Sequence, residues 1–226
     1  MFPNKKARWS QTIHQHMRNQ KSLYIFVAVL FMMGVVFGTV IVNMLDPNQK
    51  SGLLNYLGYF FRQLHEDQIA EPFVAFQHAT GDHLKTIGLL WILGLSVIGI
   101  PIILILIFIK GLVIGFTVGF LVNQLSWDGL WFACVSIVPQ NLFVVPTFII
   151  VAVTGISFSL LLIRNRLIHH RGAIYPSFVS FSLLAMGMGI LLIVAGGFEA
   201  YISPWLMKKV LPHTSWISSM IHLSLK

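Results

Sequence analysis

Residues 110–163 read KGLVIGFTVGFLVNQLSWDGLWFACVSIVPQNLFVVPTFIIVAVTGISFSLLLI, and the way this run is cut decides the architecture. Gly111, Gly115 and Gly119 recur every four residues, so on a helix they form one smooth stripe against which a second helix packs closely. Pro139-Gln140-Asn141 and then Pro146 interrupt the apolar chain. At membrane depth, backbone groups freed by such a break need protein neighbours. A helix over 111–125 would be about 22 Å long, short of a hydrocarbon core of roughly 30 Å. Residues 126–163 would run to about 57 Å, too long for one crossing. The run is therefore read as a short helix, a broken or re-entrant segment over 126–140, and one full span.

Composition agrees with a membrane interior. Of 226 residues, 56% are hydrophobic and 10% charged, with a mean hydropathy of +0.80. That excludes an ordinary soluble domain. The apolar runs are continuous rather than alternating, which argues against a barrel. The fold class is all-α: a polytopic membrane helix bundle of about five transmembrane helices with short interfacial or re-entrant helices. The net charge of +8 does not point to nucleic acid, because in a membrane protein the placement of the basic residues matters more than their sum. Cys134 is the single cysteine and lies in apolar sequence, so it is read as a packing residue.

Residues 1–22 hold Lys5, Lys6, Arg8, Arg18 and Lys21 and no acid, with Trp9, Ile13 and Met17 four apart. They form a cytoplasmic basic segment, either an interfacial helix or a basic tail. Residues 23–226 are read as one transmembrane domain. Its first span, Leu23–Leu45, carries Gly34 and Gly38 as a second small-residue stripe. An outer loop over 46–85 follows, with Leu53, Leu57, Phe60, Phe61 and Leu64 on one helical face and a second helix opening at Glu71-Pro72. The loop is either a docking surface or a lid. Thr86–Ile109 is the second span, kinked at Pro101, with Lys110 snorkelling to an interface. The last span runs from Ser177 to about Ser203, and Ala185 and Gly189 give it a small-residue pair.

With the N-terminus cytoplasmic and the C-terminus extracytoplasmic, nine Lys and Arg (Lys5, Lys6, Arg8, Arg18, Lys21, Lys110, Arg164, Arg166, Arg171) fall inside. Six (Lys50, Arg62, Lys85, Lys208, Lys209, Lys226) fall outside, which follows the positive-inside rule. Catalytic patterns are missing. His65-Glu66-Asp67-Gln68-Ile69 lacks the second histidine of a metalloprotease helix, and no nucleophile elbow or phosphate-binding glycine loop occurs. His169-His170 sit in a basic loop that disfavours a cation. The chain is read as a non-enzyme without metal or cofactor. The polar residues at membrane depth are Asn123, Gln124, Asp128, Gln140, Asn141 and Glu199. Gln140 and Asn141 either satisfy freed backbone groups beside Pro139 or touch a ligand or partner. Glu199 is either a solvated helix-end carboxylate or a buried, paired one.

Three stretches, KGLVIGFTVGF at 110–120, SIVPQNLFVVP at 136–146 and GFEAYISP at 197–204, resemble the stage II sporulation protein M family. So does the plan of a basic start, one span, an outer loop and four closely spaced spans. The resemblance implies a membrane scaffold of the engulfment machinery at the sporulation septum of an endospore-forming bacterium. Its implied partners are membrane lipids and the stage II sporulation D and P type peptidoglycan-degrading proteins. The family supplies no catalytic residues. Gly111, Gly115, Gly119, Pro139, Gln140, Asn141, Glu199 and Pro204 are accordingly carried over as helix-packing or interaction residues. Glycine stripes on three helices also suit a homo-oligomer. A different class, the permease subunit of an ABC-type exporter, would also suit an interfacial basic helix, a broken segment and an outer-end glutamate, but the sequence has no internal repeat and few polar groups to coordinate a solute.

Overall fold

The computed structural model describes residues 20–65, 71–167 and 174–210. All regular structure among them is helical. In chain order the elements are α1 (Lys21–Asn43), α2 (Pro47–His65), α3 (Pro72–Gly94), α4 (Gly99–Ser136), α5 (Val138–Leu167), α6 (Ile174–Gly197), a π-helical turn (Phe198–Ile202) and α7 (Ser203–Val210). Four stretches are long and apolar enough to cross a membrane: Lys21–Asn43, Gly99–Ser136, Val138–Asn165 and Ile174–Met207. The protein is a helical membrane bundle.

The bundle has two unlike ends. At one, the start of α1, the α3–α4 bend and the last third of α5 meet. The Ser159 hydroxyl donates to the carbonyls of Gly94 (2.7 Å) and Ser96 (3.0 Å), and the Ser157 hydroxyl to Gln20 Oε1 (2.6 Å). At the other, three pieces meet: α2, residues 127–136 and α7. Phe61 of α2 packs edge-on against Phe132, with ring centroids 5.2 Å apart, and the Ser203 hydroxyl donates to the Ser136 carbonyl over 3.1 Å. Phe61, Leu121, Leu125, Phe132 and Ala133 form the core of this layered end. The larger core, around Ile103, Ile107, Phe148, Val151 and Leu192, fills the bundle proper.

α1 and α4 run parallel and interlock by glycine. A methyl group at Gly111 would fall on the Phe31 carbonyl, one at Gly115 on the Val35 carbonyl, and one at Gly119 against Thr39 at 3.0 Å. From the other side, methyls at Gly34 and Gly38 would fall on the carbonyls of Phe108 and Leu112. Each helix thus supplies glycines where the other supplies backbone. The Thr39 hydroxyl adds a hydrogen bond to the Gly115 carbonyl (3.2 Å), and Asn123 Nδ2 one to Asn43 Oδ1 (3.0 Å).

Several expected boundaries move. The span expected over 86–109 is not one helix, because the chain turns at 95–98. Gly99 is where the turn closes, since a side chain there would strike the Leu93 carbonyl. Pro101 makes no kink. It lies in the first turn of α4, where a missing N–H costs nothing. The short helix expected over 111–125 is the second half of α4, and Lys110 lies mid-helix rather than at an interface. The outer loop expected over 46–85 contains α2 and the first half of α3. Pro72 opens α3, which continues into the bundle to Gly94. This helix has the length of a span, 23 residues, yet Gln77, His78, Thr80, Asp82, His83 and Lys85 make its first half polar.

The broken segment is present and sharply made. Ser126 adopts φ 51°, ψ −129°, the one positive-φ non-glycine residue described, and splits α4 into 99–125 and 127–136. Beyond it the chain folds back, so that Gly129 rests on the Leu121 carbonyl. Pro139 sits in the first turn of α5, whereas Pro146 lies inside that helix without ending it. The basic segment 1–19, the Leu64 side chain, residues 66–70 and the His169-His170 pair fall outside the described residues and side chains.

Candidate functional site

On α3, Thr80, His83, Ile87, Leu90 and Gly94 are spaced three and four apart and share a face. Ile87, Leu90 and Gly94 are buried, so the same face carries His83 inward. What meets it is Glu199. The His83 Nε2–H donates to Glu199 Oε2 over 3.2 Å, and the two side chains are 14% and 34% exposed. Between the two readings of Glu199, solvated or buried and paired, the geometry gives a carboxylate that is paired but only half-buried.

Glu199 is aimed there by an unusual backbone. Phe198–Ile202 forms a π turn, closed by the Ser203 N–H on the Phe198 carbonyl. One extra residue per turn rotates the rest of the helix about its axis, and single π turns often mark functional positions. Gly189 and Gly196 let α6 approach α3, against Leu84 and Thr80. A methyl at Gly196 would press on the Thr80 hydroxyl, which is buried and has no hydrogen-bond partner.

Phe148 of α5 carries the site deeper. Its ring is edge-on to the His83 imidazole, with centroids 6.2 Å apart. The Lys110 ammonium of α4 lies over the same ring at 5.3 Å from its centroid. A half-buried carboxylate, an imidazole, an aromatic ring and an ammonium thus come from four elements and line up from the layered end towards mid-bundle. Such an array can hold charge inside an apolar bundle. It presents no nucleophile and base in contact.

The residues singled out from sequence fall in three places. Gly111, Gly115 and Gly119 line the α1–α4 seam. Pro139, Gln140 and Asn141 are half-buried in the first turn of α5. There Asn141 Nδ2 donates to the Ile137 carbonyl (2.9 Å), which also accepts the Asn141 backbone N–H (3.2 Å). Pro204 is half-buried in the first turn of α7, beside the buried Ser203, one short turn past Glu199. At the layered end Gln124 Nε2 donates to Asn123 Oδ1, and Asn123 Nδ2 to Asn43 Oδ1. Sequence alone does not single out His83, Thr80, Phe148 or Lys110 as site residues. The three-four spacing of α3 is the signal that could find His83. Lys110 becomes legible only once its helix is known to run unbroken from Gly99.

A family model described as stage II sporulation protein M matches residues 27–204. No curated protein and no solved structure matches the chain.

Proposed function

Since the chain belongs to the stage II sporulation protein M family, we propose that it is a non-catalytic scaffold of the engulfment machinery, anchoring D- and P-type peptidoglycan-degrading proteins at the septal membrane. The observation that carries this reading is the layered end. α2, residues 127–136 and α7 are bound to one another through the Phe61–Phe132 contact and the Ser203–Ser136 hydrogen bond, and so form a surface rather than three loose connections. That surface exposes large side chains, with Tyr56 78% and Trp127 82% accessible. Under the positive-inside count, eight against six once the mid-helix Lys110 is set aside, it faces away from the cytoplasm, where the cell wall lies. A wall-degrading partner held there would work beside the advancing membrane.

The experiment is septal recruitment. In sporulating cells, a fluorescent P-type partner is followed in the wild type and in a variant carrying Tyr56→Ala and Trp127→Ala, with abundance read by immunoblot. We expect normal abundance and loss of the septal focus. A focus of full intensity would remove the layered end from the scaffold reading. The rival, an ABC-type permease subunit, draws on the ionisable groups inside the bundle. It requires an ATPase that co-purifies with the chain in place of a wall hydrolase.

A further inference from the structure

Lys110 stands eleven residues beyond Gly99, roughly 16 Å along the helix axis. Its neighbour Gly111 touches the backbone of Phe31, close to the midpoint of α1. Two helices therefore agree that Lys110 lies near the centre of a core about 30 Å thick. Its stem is shorter than the roughly 15 Å to either surface, and it is directed at the ring of the buried Phe148. An ammonium at this depth is costly and ordinarily finds an anion.

Among the described residues, no carboxylate does this. Asp46 follows α1, Glu71 precedes α3, and Asp128 lies beyond the Ser126 break, all towards the layered end. Asp82 is exposed and pairs with Lys85, and Glu199 is bonded to His83. A second copy of the chain has the same acids in the same places. A phospholipid phosphate sits at the surface, half a bilayer away. Lys110 is not sealed off, however. It is half-buried, at the border between the buried stripe Ile103, Ile107, Gly111 and the open residues Ile109 and Val113, which are 46% and 53% accessible.

We propose that Lys110 is the docking point for a transmembrane helix of another protein that carries a carboxylate at mid-span. The helix would lie along α4 over Ile109 and Val113, and its carboxylate would take the ammonium from the other side of the Phe148 contact. Charge complementarity selects the partner: a neutral apolar helix gains nothing from this position that lipid does not also give. The inference adds to the scaffold reading a second contact, within the bilayer, but does not use the layered end.

The test uses the full chain in lipid vesicles with a synthetic leucine-alanine spanning helix as probe, labelled for energy transfer. Three probes differ only at the centre: Glu, Leu or Lys. The wild type should capture the Glu probe at least about tenfold more tightly than the Leu probe and should reject the Lys probe. Lys110→Met should lose the discrimination, and Lys110→Glu should reverse it in favour of the Lys probe. Equal binding of all three probes by the wild type overturns the proposal, and that comparison stands even if no variant folds. Discrimination that survives in a folded Lys110→Met protein overturns it as well. Because no D- or P-type partner is present, these outcomes are independent of septal recruitment: the docking point can fail with the scaffold intact, and the reverse.

Discussion

A methyl group at Gly115 would land on the Val35 carbonyl, while the side chain two residues earlier, Val113, is 53% exposed. The pair makes a controlled comparison within one helix turn. Gly115→Leu should cost roughly 1–3 kcal/mol or more, because two backbones must part to admit it. Val113→Leu should leave abundance and thermal midpoint unchanged, and equal behaviour of the two would mean that the seam opens freely. Ser126 offers the opposite case. Its φ of 51° is a conformation that suits glycine, so Ser126→Gly should raise stability by about 1 kcal/mol, measured as the thermal midpoint in detergent. The His83–Glu199 pair separates charge from shape. Glu199→Gln keeps an acceptor for the imidazole and should insert at normal abundance, yet weaken septal recruitment. Glu199→Leu strands His83 and should cost roughly 1–3 kcal/mol, and His83→Leu in the same chain should recover much of it. If the double variant is worse than Glu199→Leu alone, the two side chains are not partners. Residue identity shows the glycine stripe plainly, because four-residue spacing admits one helical reading. The pairing of His83 with Glu199 is not visible in the sequence, because 116 positions separate them and only the fold joins them.

Helix boundaries are harder to read than helices. Lys110 and Pro101 look like punctuation in a one-dimensional hydropathy reading, one as a span end and the other as a kink. The chain instead turns at 95–98, in apolar sequence, where Gly94 packs on Gly155 and Gly99 on the Leu93 carbonyl. The turn is marked by two glycines five residues apart rather than by polarity, since Ser159 of α5 bonds the Gly94 and Ser96 carbonyls from within the bundle. This difference can be checked by substitution. Pro101→Ala should change stability by less than about 0.5 kcal/mol, as a first-turn proline gives up no hydrogen bond. Gly99→Ala should be clearly destabilising. A large effect of Pro101→Ala would restore the kink. The polar first half of α3 misleads in the same way. Read alone it belongs to a surface loop, yet its inward face carries Thr80 and His83 to Gly196 and Glu199.

Across the whole molecule, the two ends of the bundle should lie on opposite sides of the membrane. A reporter active only outside the cytoplasm should work when fused after Asp67 or at Lys226 and fail after Arg171. A cytoplasmic reading at Lys226 would overturn the orientation. The parallel clasp of α1 with α4 has a further consequence, in time rather than in space. Val35 meets Gly115 eighty positions later in the chain. At a synthesis rate of about 5–20 residues per second, α1 enters the bilayer some 4–16 seconds before its partner exists. During that interval its glycine groove is bare, and the nascent chain depends on the insertion machinery, or on a neighbour, to keep it from closing on the wrong helix. Synonymous codons that slow translation between residues 45 and 110 would lengthen this wait, and the yield of assembled protein should fall although its sequence is unchanged.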